Sequence, residues 1–158
     1  MPLIDPYLQE FAHEAALTRK TLERVPDNKF DWRPHPKSMT LGRLASHLAE
    51  NPHWATVTLT QDELVLSGSL QFVNASTTRE LLDNFDRYVS EANAAMAEAT
   101  DECLCGHWRM IAADGTVMLD MPRAAILRAF VLNHTIHHRG QLTVYLRLLD
   151  VPVPSVYR

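Results

Sequence analysis

The chain has 158 residues, enough for one ordinary domain with a sizeable core, and its 46% hydrophobic and 22% charged content excludes disordered and collagen-like chains. A formal charge of -4 and a pI of about 6.0 leave no positive excess to hold phosphates, so nucleic acid is not an expected partner. The opening MPLIDPYLQEF lacks the basic and apolar regions of a secretion signal, and no apolar run approaches the ~18 residues of a membrane span, so no membrane partner is expected.

Asp5 followed by Pro6 reads as an N-cap with proline at the first helical position. Leu8, Phe11, Ala12, Ala15 and Leu22 then recur at helical spacing, which predicts a first helix from Asp5 to Val25. Residues 26–38, PDNKFDWRPHPKS, carry three prolines that remove backbone donors, so they form a connecting loop that Phe30 and Trp32 pin to the core. From Thr40, the apolar stripe Leu41, Leu44, Ala45 and Leu48 marks a second amphipathic helix, and His47 sits one helical step beside it. Pro52 cannot donate to the Leu48 carbonyl and ends or kinks this helix, after which helical pattern resumes through Leu66.

A polar segment from Gly68 to Thr78 follows. Thr77 and Glu80 make a capping box for a third helix through Leu81, Leu82, Phe85, Tyr88, Val89 and Met96, ending near Thr100. Cys103 and Cys105 are one residue apart, a spacing awkward for a disulfide. They read as two small apolar residues by a turn, a usage that suits a reducing, cytoplasmic compartment. HWRMIAA, Asp114-Gly115 and TVMLDM form two short strands about a hairpin turn, the only strand signal in the chain. Pro122 opens a long fourth helix whose buried stripe is Leu127, Phe130, Val131, Leu142, Tyr145, Leu148 and Leu149, ending before Pro152. The expected fold is all-α: one domain over residues 1–158, a four-helix bundle with one short β-hairpin before the last helix.

The run NHTIHHRGQ, residues 133–141, carries the chemical signal. A helix turns about 100° per residue, which leaves His134 and His138 only about 40° apart on a face that also carries Phe130, Val131, Leu142 and Leu149. Imidazoles on an inward face need partners for their ring nitrogens, and a metal ion satisfies both at once. The spacing lacks the intervening Glu of a zinc protease, so that reading fails. His47, beside the stripe of the second helix, is the best-placed third ligand. On spacing alone, a reading in which one or two of these histidines are core or surface residues stands equally, and His137 and His138 are hard to rank. His137 points about 100° away from His138, behind the ligands or on the surface. His13, His35 and His53 read as solvated, and His107 on the hairpin as a group that could approach the site mouth.

Together, FDWRPHPKSMTLGRLASHLAE and NHTIHHRGQLTVYLRLLDVPVPSVY resemble the DinB-like (YfiT-like) family of metalloenzymes. The most specific features are the single His of the second helix, the His-x-x-x-His-His-Arg-Gly-Gln run and the Leu-Leu-x-Val-Pro-Val-Pro tail, in that order. One departure is Asp150, which stands where the family commonly has Gly. The resemblance implies a four-helix bundle with a nickel- or zinc-type centre, matches its three ligands to His47, His134 and His138, and implies frequent homodimers. Some relatives are thiol-dependent S-transferases or isomerases in which a low-molecular-weight thiol meets the metal, so the resemblance favours an enzyme that transfers such a thiol to a small electrophilic substrate.

Three neutral imidazoles leave a divalent ion's charge uncompensated and a coordination position open, the arrangement of a reactive rather than a structural site. Gln141 and Tyr145 lie further along the same line of the helix and are candidates to orient substrate or thiol. Hydrolysis by water activated at the ion is the alternative chemistry. A non-catalytic metal-binding, stress-response protein is the alternative class, with an empty ligand-binding pocket as a weaker third reading.

Overall fold

The computed structural model describes residues 1–66 and 74–155, so most of the polar segment expected from Gly68 lies outside the described residues. The chain is mostly helical with a small three-stranded sheet, and among the described residues no helix is long and apolar enough to cross a membrane.

Helix α1 spans Asp5–Leu22, with Ile4 as its N-cap and Pro6 in the first turn. It stops three residues short of the expected end. Its inward face is Phe11, Glu14, Thr18, Thr21 and Leu22, and the expected Ala12 is exposed. The face is rotated because Glu14 is drawn inward by an ion pair with Arg139, so polar residues replace part of the apolar stripe.

A single 3-10 turn, Asp27–Lys29, begins the proline loop, whose end is tied to α2 (Leu41–Glu50) by backbone. The Trp32 carbonyl accepts the Leu41 N–H (2.7 Å), the Phe30 carbonyl accepts the Gly42 N–H (2.9 Å), and Thr40 Oγ1 caps the Arg43 N–H (3.1 Å). Three donors of the first turn, which no helix can satisfy internally, thereby find partners. The loop comes this close because Gly42 has no Cβ; one placed there would lie 2.6 Å from the Phe30 ring. Leu41, Leu44, Ala45 and Leu48 are all buried, as their spacing requires.

Helix α2 ends ahead of Pro52, and α3 runs from His53 to Thr60. The expected continuation of helix to Leu66 is wrong. Residues Glu63–Leu66 form strand β1, parallel to β2 (His107–Ala112) with Glu63 opposite Arg109 and Leu66 opposite Ala112. A short apolar run such as Leu64-Val65-Leu66 suits either state, and here long-range pairing decides it. The buried Arg123 side chain fixes the switch, donating to the Thr58 and Gln61 carbonyls at the end of α3, to the His107 carbonyl of β2 and to Asp62.

Helix α4 spans Thr78–Ala97, with Thr77 Oγ1 accepting from the Glu80 N–H (3.2 Å) as the capping-box reading predicts. A further one-turn helix, α5 (Asp101–Cys105), holds both cysteines as free thiols. The expected hairpin is present: β2 pairs antiparallel with β3 (Val117–Pro122) through a loop in which Gly115 takes φ 86°. Among the described residues the sheet thus has three strands in the order β1-β2-β3, one more than the hairpin expected.

From Arg123 the chain is helical to Leu148, in three stretches: α6 (Arg123–Ile126), a π-helical segment Leu127–Asn133, and α7 (His134–Leu148). Periodicity did not reveal the π segment. Leu127, Val131 and Leu142 are buried as expected, together with Ile126, Leu132 and Leu146, whereas Leu148 is 59% exposed. Leu148 follows Leu146 by about 200° around the helix and so faces away from the core. Helix α1 packs against α4 and α7, and α2 packs against the same two helices.

Helix α7 ends with the Asp150 N–H on the Arg147 carbonyl and the Val151 N–H on the Leu146 carbonyl, while Val151 packs on the same cluster as Leu146. This is a Schellman motif, and its turning residue Asp150 has φ 56°. The departure from the family's glycine therefore falls on a left-handed residue. Asp150→Gly is expected to raise stability by about 0.5 kcal/mol, relief of side-chain strain outweighing glycine's greater unfolded-state entropy. Urea denaturation of the two proteins checks this; a loss of stability would contradict it.

Candidate metal centre

Helix α2 contributes one histidine and α7 contributes two. The His47 Nε2 and His134 Nε2 atoms are 2.9 Å apart, and one ligand nitrogen from each of His47, His134 and His138 lies within 4.8 Å of the others. Ring centroids are separated by 5.0 Å for His47 and His134, 4.6 Å for His47 and His138, and 4.4 Å for His134 and His138. His138 is buried and the other two are partly buried. The three residues expected as ligands are thus brought together.

The donors fit a divalent ion. All three are imidazole nitrogens, and two nitrogens each about 2.1 Å from a shared ion stand roughly 3.0 Å apart at a right angle and roughly 3.4 Å apart at a tetrahedral one, so the 2.9 Å between His47 and His134 needs only a few tenths of an ångström of opening to admit an ion. The electrostatics fit as well. Burial, then the nearby His138, His134 and Arg43, lowers the His47 pKa to about 4. Burial, with His138 and His137, also lowers His134. For His138, burial outweighs the raising effect of the Gln141 hydrogen bond, and His137 adds to the lowering. At neutral pH all three rings are therefore uncharged and able to donate lone pairs.

Two buried polar groups hold the helices in register around the triad. Asn51, one turn beyond His47, donates through Nδ2 to the Val131 carbonyl (2.8 Å) in the π segment and to Thr135 Oγ1 (2.6 Å), beside His134. Arg139, next to His138, pairs through Nη2 with Glu14 Oε2 (2.5 Å), and through Nη1 reaches the Glu14 carbonyl (3.1 Å) and Thr18 Oγ1 (3.2 Å) of α1. Sequence reasoning did not single out Asn51 or Arg139. The available signals were an amide four residues after His47 and an Arg beside an inward-facing His.

The other expected residues separate. His138 Nδ1 is 2.7 Å from Gln141 Oε1. The Tyr145 hydroxyl donates to the Met39 carbonyl (3.3 Å), and its ring meets Trp32 edge-on at 5.8 Å. His137 is exposed, its ring centroid 4.9 Å from that of His138. His107 lies on the sheet with Nδ1 2.6 Å from Asp120 Oδ1. His53 faces Glu91 and Tyr88, His35 Nδ1 accepts the Lys37 N–H, and His13 is exposed.

Known proteins share this arrangement of elements. The chain is 25% identical over 156 residues to the uncharacterized protein YrdA of Bacillus subtilis strain 168, covering 98% of this chain and 87% of that one. A crystal structure of a DinB-like protein from Bacillus cereus ATCC 10987 superposes with a TM-score of 0.74 at 26% identity, covering 96% of this chain and 95% of the other. The DinB-like protein YjoA of Bacillus subtilis gives a TM-score of 0.76 at 19% identity over 98% and 99% of the two chains, which shows the shared fold. With the DinB family model matching residues 3–158, the chain belongs to the DinB family.

Proposed function

We propose that this protein is a metal-dependent enzyme whose three-His centre activates a low-molecular-weight thiol for transfer to a small electrophilic substrate. The observation that carries the reading is the donor set. Among the described residues, three uncharged imidazoles converge with no carboxylate or thiolate in the group. A divalent ion held there, nickel or zinc, would keep its positive charge and an open position, and so would lower the pKa of a thiol or water within reach.

The chain's own residues do the rest. His47, His134 and His138 present lone pairs, Asn51 and Arg139 hold α2 and α1 against α7 so that these lone pairs converge, and Gln141 and Tyr145 are the residues we assign to substrate or thiol orientation. We read residues 1–158 as a single four-helix-bundle domain built on α1, α2, α4 and α7, whose mutual packing supports that description. The free thiols of Cys103 and Cys105 support a reducing, cytoplasmic setting, and the exposed Val144 and Leu148 on α7 support a homodimer.

The test is a screen of zinc- or nickel-loaded protein with several cellular thiols and a generic electrophile. Thiol consumption that depends on the metal supports transfer. No metal-dependent rate with any thiol would leave hydrolysis, or a non-catalytic metal-binding role, as the better reading.

A further inference from the structure

The hydrogen bond between His138 and Gln141 has a chemical consequence for the triad. An imidazole has two nitrogens, and in the neutral ring one carries the proton while the other offers a lone pair. Gln141 Oε1 is an acceptor only, so at 2.7 Å it requires the proton of His138 to sit on Nδ1. The lone pair is then on Nε2. Gln141 lies three residues after His138 on α7, so the acceptor approaches the ring along the helix surface, and its own side chain is exposed rather than packed into the core. Its removal leaves no cavity. This separates any effect on the metal from an effect on folding.

We propose that Gln141 is a positioning residue for the metal: by accepting the Nδ1–H of His138 it fixes the ring's tautomer and orientation, and so presents Nε2 to the ion. The inference rests on the three-His reading of the site and deepens it. Outer partners of this kind set ligand basicity and alignment, and their loss typically lowers metal affinity by about 10–100-fold. Because Gln141 is exposed and its hydrogen bond competes with water, the lower end of that range applies.

Two measurements on full-length, untagged protein test the proposal, with zinc as the probe. Long-range proton–nitrogen NMR of the apoprotein reports the ring tautomers. His138 is expected in the Nδ1–H form in the wild type and as a mixture of forms in Gln141→Leu. Competition against a chromophoric chelator reports affinity. Gln141→Leu is expected to bind zinc about tenfold more weakly, while Gln141→Glu, which keeps an acceptor at the same reach, is expected to bind at least as tightly as the wild type.

A structural effect of Gln141 would alter unfolding alike in both variants and would not be rescued by the carboxylate. An Nε2–H tautomer in the wild type, or zinc affinity unchanged in Gln141→Leu, overturns the proposal and leaves the triad standing. A wild-type protein that binds no zinc overturns the triad itself, and this inference with it.

Discussion

Arg139→Met is expected to destabilise the fold by about 3–5 kcal/mol. Arg139 is 2% exposed and Glu14 is 6% exposed, so the pair lies in the interior between α7 and α1. Removing the guanidinium leaves the Glu14 carboxylate buried opposite a thioether, with the Thr18 hydroxyl and the Glu14 carbonyl each losing a donor. A buried carboxylate that has lost its guanidinium explains the magnitude; the intact pair's net worth is smaller, because burying both ions is itself costly. The double variant Glu14→Gln with Arg139→Met is accordingly expected to be more stable than Arg139→Met alone, since no charge then remains inside. Urea unfolding of the four proteins measures the coupling. A loss below about 1 kcal/mol in Arg139→Met, or simple additivity across the cycle, would show that the pair is dispensable.

That ion pair also marks where sequence reasoning succeeds and where it stops. The stripe of α2 was legible because Leu41, Leu44, Ala45 and Leu48 obey one period and all four are buried. His134 and His138 were legible for the same geometric reason, since two residues four apart on a helix share a face. The face of α1 was not. Its inward line runs through the polar residues Glu14, Thr18 and Thr21; Glu14 and Thr18 share a partner, Arg139, that lies 125 positions from Glu14 in the chain, and no local pattern reports such a partner.

Strand β1 was missed for a related reason, because Glu63–Leu66 becomes a strand only by pairing with β2 across more than forty residues of intervening chain. The π segment Leu127–Asn133 reads as ordinary helix, because one hydrogen-bond step from α to π leaves almost no mark on the spacing of apolar residues. Asn51 was invisible as a clamp because its partners, Val131 and Thr135, meet it only once the helices are packed. Local periodicity therefore placed the ligands on their helices, while long-range polar contacts, unreadable in the sequence, hold those helices in register.

Each of His47→Ala, His134→Ala and His138→Ala is expected to lower zinc affinity by about a hundredfold or more. Binding free energies for sites of this kind are of order ~10 kcal/mol, and an equal share for each of three ligands is about 3 kcal/mol. Full occupancy in all three variants, by elemental analysis of untagged protein, would sink the assignment. The metal should nevertheless matter little to the fold. The core around Leu22, Leu44, Leu48, Leu81, Phe85, Leu142 and Leu146 is formed by apolar side chains, so chelation is expected to leave far-ultraviolet circular dichroism nearly unchanged.

Acid should act on the same site by a different route. In the unfolded chain His47 takes up a proton near pH 6.5, but in the folded protein only near pH about 4. Between those values the unfolded state binds more protons than the native state, so the apoprotein is expected to lose stability as pH falls from about 6.5 toward 4, and His134 and His138, lowered in the same direction, add to the loss. Zinc holds the three rings deprotonated and competes with the proton, so the loaded protein is expected to retain its stability further into this window. Apoprotein stability that is flat from pH 7 to 4, or that rises on acidification, would mean that the three rings are not held neutral by their surroundings.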